Sequence, residues 1–230
     1  MESRLEKIYQ QCTLIYDNPL SCKEDLNGFR LEGSAKISFE NGRMRMENEM
    51  DATLGQKANY VLWCPQEFPS DMMIEWEFQP IREPGLCIMF FAAKGMQGED
   101  LFAEELTART GEYIQYHHGD IHAFHVSYFR RKEADERAFH TCNLRKSYGF
   151  HLVAQGGDPI PDADEVTKPY QLRVIKKGRD VWFYIEDLEV FHFEDDGTTY
   201  GPLLTGGKIG FRQLAPFVGE YANLKVYMIS

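Results

Sequence analysis

The sequence predicts an all-β fold, a single sandwich of two stacked antiparallel sheets with one or two short helices. About a dozen short β-type runs follow one another from residue 29 onward, separated by Gly, Pro, Asn and Asp. Long amphipathic periodicity of the helical kind is missing between them. A chain of 230 residues, 43% hydrophobic and 13% aromatic, can bury a substantial core, so residues 1–230 read as one jelly-roll domain.

Residues 2–11 and Gly98–Leu106 are the stretches that look helical, the second because its acidic first turn suits the helix dipole. Ala35-Lys-Ile-Ser-Phe and Arg43-Met-Arg-Met-Glu alternate on either side of Asn41-Gly42, a pair that supplies the positive φ angles of a tight hairpin. Met73–Gln79 sets Ile74, Trp76 and Phe78 on one face and Glu75, Glu77 and Gln79 on the other, which predicts a strand half in water. Leu86–Ala93 is apolar on both faces and predicts a central strand. Tyr170–Lys176, Asp180–Glu186, Glu189–Phe193, Gly207–Arg212 and Tyr221–Tyr227 complete the series, and Gly156–Glu165 is a Pro- and Asp-rich loop suited to the edge of a cleft.

A net charge of −11 opposes nucleic-acid binding, which needs a surplus of Lys and Arg on one face. No apolar run reaches the length of a signal peptide's core or a membrane span, so a soluble, cytoplasmic protein is expected. Cys12, Cys22, Cys64, Cys87 and Cys142 are scattered and odd in number, which predicts reduced thiols rather than a disulfide framework.

The chemistry concentrates in Gly111–Arg131, which holds four of the chain's seven histidines. Two β-type runs flank Gly119-Asp120, and a hairpin with a three-residue Gly-Asp-Ile loop sorts their side chains cleanly. His118 then opposes His122, Tyr116 opposes Phe124 and Ile114 opposes Val126 on a mostly apolar face. The other face becomes a polar strip of Tyr113, Gln115, His117, His125 and Ser127, prolonged by Phe129 and Arg131. Imidazole moves protons near neutral pH, a Tyr hydroxyl can act as acid, and Gln or Arg stabilises an oxyanion. Those groups suit abstraction of a proton α to a sugar carboxylate. Gln115-Tyr116-His117 also resembles the Gln-x-His motif of jelly-roll alginate lyases, in which Gln and His lie side by side on one strand face.

Against this stands the plain alternative that histidines and tyrosines on a sheet face are hydrogen-bonded structural residues. His118-x3-His122 and His122-x2-His125 have spacings that bind zinc on a helix, but the β-type residues and Gly119-Asp120 argue against one, leaving His118, His122 and Asp120 to share an ion at the hairpin end. Asp158, Asp162, Asp164 and Glu165 offer oxygen ligands whose spacing matches no EF-hand loop, and no metal and no cofactor is expected. Arg130, Arg131, Lys132, Arg137, Arg145 and Lys146 make a basic cluster that either attracts an anion or is salt-bridged by Glu133, Asp135 and Glu136.

Taken along its length, the chain resembles the YesU-like family of uncharacterised bacterial proteins with a concanavalin A-like lectin/glucanase jelly-roll fold. The resemblance rests on Tyr60-Val-Leu-Trp-Cys-Pro65, the 111–131 segment, Asn143-Leu-Arg-Lys146, Gly156-Gly-Asp-Pro159 and Gly207-Lys-Ile-Gly-Phe-Arg212. It implies the fold and, loosely, a connection to carbohydrate. The expected function is therefore action on short, uronate-containing oligosaccharides, by β-elimination or hydrolysis, with a non-catalytic carbohydrate-binding module as the alternative. His117, His125, Tyr113 and Gln115 are the candidate catalytic residues. Ser127, Arg131, Arg145, Arg212 and Trp63 are the candidate substrate-binding residues. The expected partner is an oligosaccharide, an anionic one included, bound by a monomer or homodimer away from any membrane.

Overall fold

In the structure, a computed structural model that describes residues 4–230, the alternating runs become strands of two sheets. Helix α1 (Arg4–Tyr9) is followed by β1 (Cys12–Asn18), β2 (Arg30–Glu32), β3 (Ala35–Glu40), β4 (Arg43–Asn48), β5 (Tyr60–Trp63), β6 (Met72–Arg82) and β7 (Cys87–Gly95). A helical turn α2 (Ile114–His117) precedes β8 (Ile121–Tyr128), and α3 (Ala134–Ala138) precedes β9 (Thr141–Ser147) and β10 (His151–Gly157). Then come β11 (Tyr170–Lys177), β12 (Asp180–Ile185), β13 (Leu188–Glu194), β14 (Lys208–Gln213) and β15 (Val218–Ile229).

One sheet runs β13-β12-β11-β6-β15-β4-β3, with β1 added along the far half of β15, and the other runs β10-β9-β8-β7-β14-β5-β2. The main core lies between them. Ile74, Trp76 and Phe78 of β6 meet Met89 and Phe91 of β7 and Phe124, Val126 and Tyr128 of β8 there. The Asn41-Gly42 turn has the positive φ angles, 54° and 69°, that its sequence anticipates. β7 is central as expected, hydrogen-bonded on both sides by β8 and β14. On β6, Glu75 is drier than a half-wet strand predicts, because α1 covers it and Arg173 pairs with it at 2.6 Å. Among the described residues no helix is long and apolar enough to cross a membrane.

Three expectations are corrected. The helix predicted over residues 2–11 shortens to α1, with residues 2 and 3 outside the described residues, and β1 already begins at Cys12, well before residue 29. Gly98–Leu106 forms turns instead of a helix: Asp100 caps Phe102 N at 2.7 Å and pairs with Lys208 at 2.9 Å, while Arg109 takes the Leu101 carbonyl. The predicted hairpin around Gly119-Asp120 has only its second arm. Residues 114–117 close a helical turn, with His118 N donating to Ile114 O at 2.8 Å, and Gly119 packs so tightly that a Cβ would lie 2.2 Å from Gln115 O. β8 is paired instead with β7 and β9, which satisfy both its edges without a local partner.

Candidate functional site

Alternation along β7, β8, β9 and β14 sends every second side chain out of the sandwich, and the antiparallel register aligns these residues across strands. Arg212, Ile88, Ser127 and Asn143 form one row on the outer face, and Gly210, Phe90, His125 and Arg145 form the next. Val61 and Trp63 continue the two rows onto β5.

Segment 96–120, between β7 and β8, folds back over part of this face. Its Leu101 and Tyr116 pack on Val61, Trp63 and Phe90 to make a second apolar cluster. Glu32 on β2 fastens the cover, accepting hydrogen bonds from Trp63 Nε1 (2.9 Å), Tyr116 Oη (2.8 Å) and Arg109 Nη2 (2.8 Å). Trp63 is consequently sealed beneath Tyr116 and Phe90, and it supports the face rather than offering a ring to a ligand.

Tyr113, at the N-terminal end of α2, reaches down to the sheet, where its hydroxyl lies 2.7 Å from His125 Nδ1. The second imidazole nitrogen of His125, Nε2, is 3.0 Å from Ser147 Oγ, and its ring stacks on Phe90. His125 is 1% exposed. Burial, reinforced by His117, Arg145 and Arg212, pushes its pKa well below the ordinary value and keeps it neutral. Both tautomers suit the site, because a hydroxyl at each nitrogen can donate or accept.

Beyond Tyr113 the face opens into a cavity of about 110 Å³ lined by Ile88, Ser127, Asn143, Arg145 and Phe150. The Arg145 guanidinium lies 3.7 Å from the centre of the Phe150 ring and donates to the Phe150 carbonyl at 3.0 Å. Arg212 is buried under the Tyr113 ring at 4.6 Å, its Nη2 bonded to Gln56 Oε1 and Gly111 O, its Nε and Nη1 without hydrogen-bond partners. Among the described residues neither Arg145 nor Arg212 forms an ion pair, whereas Arg130 pairs with Glu136 at 2.7 Å.

These charges set the local titration. Burial raises the Tyr113 phenol to about 12, against the pull of Arg212, Arg145 and Arg130. Burial also lowers Arg212 to about 10, which leaves it charged at neutral pH. His117, on the edge of α2 between Tyr113 and Phe150, is pushed down to about 4 by burial and then by His118, Arg212 and Arg145. The site therefore holds neutral imidazoles and a protonated phenol among guanidinium groups.

The other sequence candidates distribute as follows. Ser127 and Arg145 line the cavity, and Arg212 lies directly behind it. Gln115 turns away, accepting from Thr110 N at 2.8 Å to close the loop ahead of α2, so Gln115 and His117 occupy a helical turn and not one strand face. Phe129 and Arg131 leave the polar strip, because Phe129 takes a positive φ of 47° that breaks the alternation. Phe129 enters the main core, and Arg131 is buried, paired with the buried Asp158 and with the half-exposed Asp162. His118 packs on Tyr148 while His122 faces a different cavity, and among the described residues no group of three or more His, Cys, Asp or Glu is placed to hold a metal ion. Asn143, Ser147 and Phe150 were not anticipated, although the period-two spacing 143, 145, 147 around Arg145 carries the signal.

A relative from Bacillus subtilis (strain 168), "Uncharacterized protein YesU", is 49% identical over 220 residues, covering 96% of this chain and 98% of that protein. A crystal structure from Bacillus subtilis described as a protein of unknown function with galectin-like fold superposes with a TM-score of 0.90 at 48% identity, over 95% of this chain and 98% of that one. The potassium-bound carbohydrate recognition domain of Emp46p shares the fold, with a TM-score of 0.60 at 15% identity over 92% of this chain and 96% of its own. Residues 13–226 match the family described as "Domain of unknown function (DUF1961)", and the chain belongs to that family.

Proposed function

We propose that this protein takes the acidic end of a short, uronate-containing oligosaccharide into the cavity beside Tyr113 and cleaves it by β-elimination. One observation carries the reading. In a chain of net charge −11, Arg145 and Arg212 converge on Tyr113 with no carboxylate paired to either among the described residues. A sugar carboxylate supplies the absent anion, and the guanidinium of Arg145, on the open side, matches it in shape. The Emp46p carbohydrate recognition domain, which shares the fold, makes a sugar ligand the natural class to test.

Elimination breaks the C5–H and C4–O bonds of the uronate ring and forms the C4=C5 double bond. Arg145 and Arg212 offset the charge that builds on the carboxylate as the C5 proton leaves. His117, neutral and packed against the lining residues Tyr113 and Phe150, accepts that proton, and Tyr113 delivers its own to the departing oxygen. For this step His125 is held as its Nδ1–H tautomer, which donates to the Tyr113 oxygen before and after transfer while Nε2 accepts from Ser147 Oγ, so the Tyr113 hydroxyl hydrogen is free to pass to the departing oxygen. The imidazole never has to become charged, which suits its depressed pKa. Hydrolysis is less well served, since it uses two carboxyl groups and Glu136, the acid lining this cavity, is held by Arg130. A cytoplasmic location fits five free cysteines.

Binding without turnover through the same contacts is the second reading, and the small size of the cavity, about 110 Å³, favours it. The test is incubation with pectic, alginate and glucuronan oligosaccharides, read by the ultraviolet absorbance of an unsaturated uronate and by mass spectrometry. An unsaturated product that disappears in Tyr113→Phe supports elimination. Calorimetric binding without product, lost in Arg145→Gln, assigns a binding module. No binding and no product across the panel overturns both.

A further inference from the structure

A second and larger cavity, of about 320 Å³, opens where β8 and β9 meet the loop after β13. Its wall includes Ser147, Tyr148, His151, Tyr200 and His122. We infer that this cavity is a second sugar subsite, one that takes an uncharged pyranose ring linked to the uronate held beside Tyr113; the inference rests on the function proposed above.

Position comes first. Asn143, Arg145 and Ser147 are alternate residues of β9, and the first two line the smaller cavity while the third lines the larger. Arg145 and Ser147, two residues apart, put the facing walls of the two cavities about 7 Å apart along β9, a span that two linked sugar rings bridge. Ser147 is also the residue whose hydroxyl reaches His125 Nε2, so one side chain belongs to both sites. Between them stands a ridge of rings, in which Phe150 packs on His117, His117 on His118 and His118 on Tyr148.

Charge distinguishes the two. The smaller cavity presents guanidinium groups without anions. In the larger one the single ammonium, Lys146, is neutralised by Asp195 at 2.7 Å and also donates to the Gly201 carbonyl at 3.0 Å. Burial holds His122 towards its neutral form, and Lys94 and Lys146 add to that effect. A second carboxylate therefore finds no free cation here among the described residues. What the cavity offers instead is aromatic surface and hydroxyls. Tyr148 is 49% exposed, and Tyr200 stands beside His151 with ring centroids 5.2 Å apart. Flat rings at the mouth of a cavity, with hydroxyls around them, suit the C–H faces and equatorial hydroxyls of a neutral pyranose. The favoured ligand is thus a mixed oligosaccharide, uronate next to neutral sugar, over a run of uronates.

The experiment is calorimetric titration with three ligands: a free uronic acid, a homo-diuronide, and a disaccharide joining a uronate to a neutral hexose. The uronic acid is expected to bind, the mixed disaccharide to bind roughly tenfold tighter, and the diuronide to gain less than the mixed disaccharide. Tyr200→Ala and, independently, Tyr148→Ala are expected to erase most of the gain while leaving uronic-acid binding unchanged. The inference is overturned if the gain survives both substitutions, or if the diuronide gains as much as the mixed disaccharide. Failure of the proposed function looks different: the free uronic acid then does not bind, wild type and Arg145→Gln behave alike, and both readings fall together.

Discussion

The Tyr113 hydroxyl lies 2.7 Å from His125 Nδ1, and that bond ties a helical turn laid over the sheet to an imidazole buried in the sheet itself. Two distant pieces of local structure have to be correct for it to form: the turn at 114–117, and the β8 register that aligns His125 with Phe90 and Arg145. Neither piece alone places a polar group where a ligand could meet it.

Tyr113→Phe removes the hydroxyl and leaves His125 Nδ1 without its partner. The cost in stability is expected to be about 1–3 kcal/mol, the price of an unsatisfied buried polar atom, measured by urea unfolding. Product formation from an active uronide should fall by roughly a hundredfold or more, as for loss of a general acid. Unchanged turnover in this variant would remove Tyr113 from the chemistry.

The histidines give a pH signature. In the unfolded chain they titrate near 6.5, whereas in the folded protein burial holds His117 at about 4 and pushes His125 well below its ordinary value. Below pH 6.5 the unfolded chain therefore binds protons that the folded one does not, and stability falls as pH falls. The His117 share is present in full above 6.5 and is lost by about pH 4. Each histidine adds at most about 1.4 kcal/mol per pH unit, and His117, half open to water, adds less than that. His117→Gln should flatten part of the slope between pH 6.5 and 4, and thermal denaturation at several pH values checks it. A slope identical to wild type would mean that His117 is not held neutral by the fold.

Much of the fold is legible in the sequence because period-two alternation survives in strands such as β6 and β8 whatever they pair with. The outward set Ala123, His125 and Ser127 could be read correctly even though its partners could not. Pairing is a long-range property: β8 is flanked by β7 and β9, and nothing in residues 111–128 records that. The same limit explains Arg131 and Trp63. A single positive φ at Phe129 diverts the chain and takes Arg131 into a buried ion pair, and a cover fastened by Glu32, from another part of the sequence, seals Trp63. Arg145 and Arg212 stand on the outer face beside Tyr113 because they lie on strands whose alternation is unbroken.

Glu32→Gln tests the fastening of segment 96–120. Arg109 and Glu32 are both almost fully buried, so neutralising the carboxylate strands a guanidinium in an apolar setting. A loss of about 3 kcal/mol or more is expected, with faster amide exchange concentrated in residues 96–120. Glu32→Ala together with Arg109→Leu should recover part of that loss, since no charge is then left unpaired. Uniform acceleration of exchange across both sheets, with segment 96–120 no worse than the rest, would show that the cover is held some other way.

Two arginines from the same basic cluster should separate cleanly. Arg131 is fully buried with Asp158 at 3.6 Å and Asp162 at 3.1 Å, and it also donates to the Ile160 carbonyl at 2.8 Å. Arg145 donates to one carbonyl, covers Phe150, and has no acid paired to it among the described residues. Arg131→Ala therefore removes the counter-charge of Asp158, a buried carboxylate already raised by desolvation, and should destabilise the protein by about 3–5 kcal/mol while the surviving folded fraction binds ligand normally. Arg145→Gln should do the reverse. No buried anion loses its partner, so stability should change by less than about 1 kcal/mol, whereas uronate affinity should drop about tenfold or more with a weaker salt dependence. Calorimetry beside denaturant unfolding on the two variants resolves the pair. A ligand defect in folded Arg131→Ala, or normal uronate binding in Arg145→Gln, would show that the cationic side of the site has been assigned to the wrong arginine.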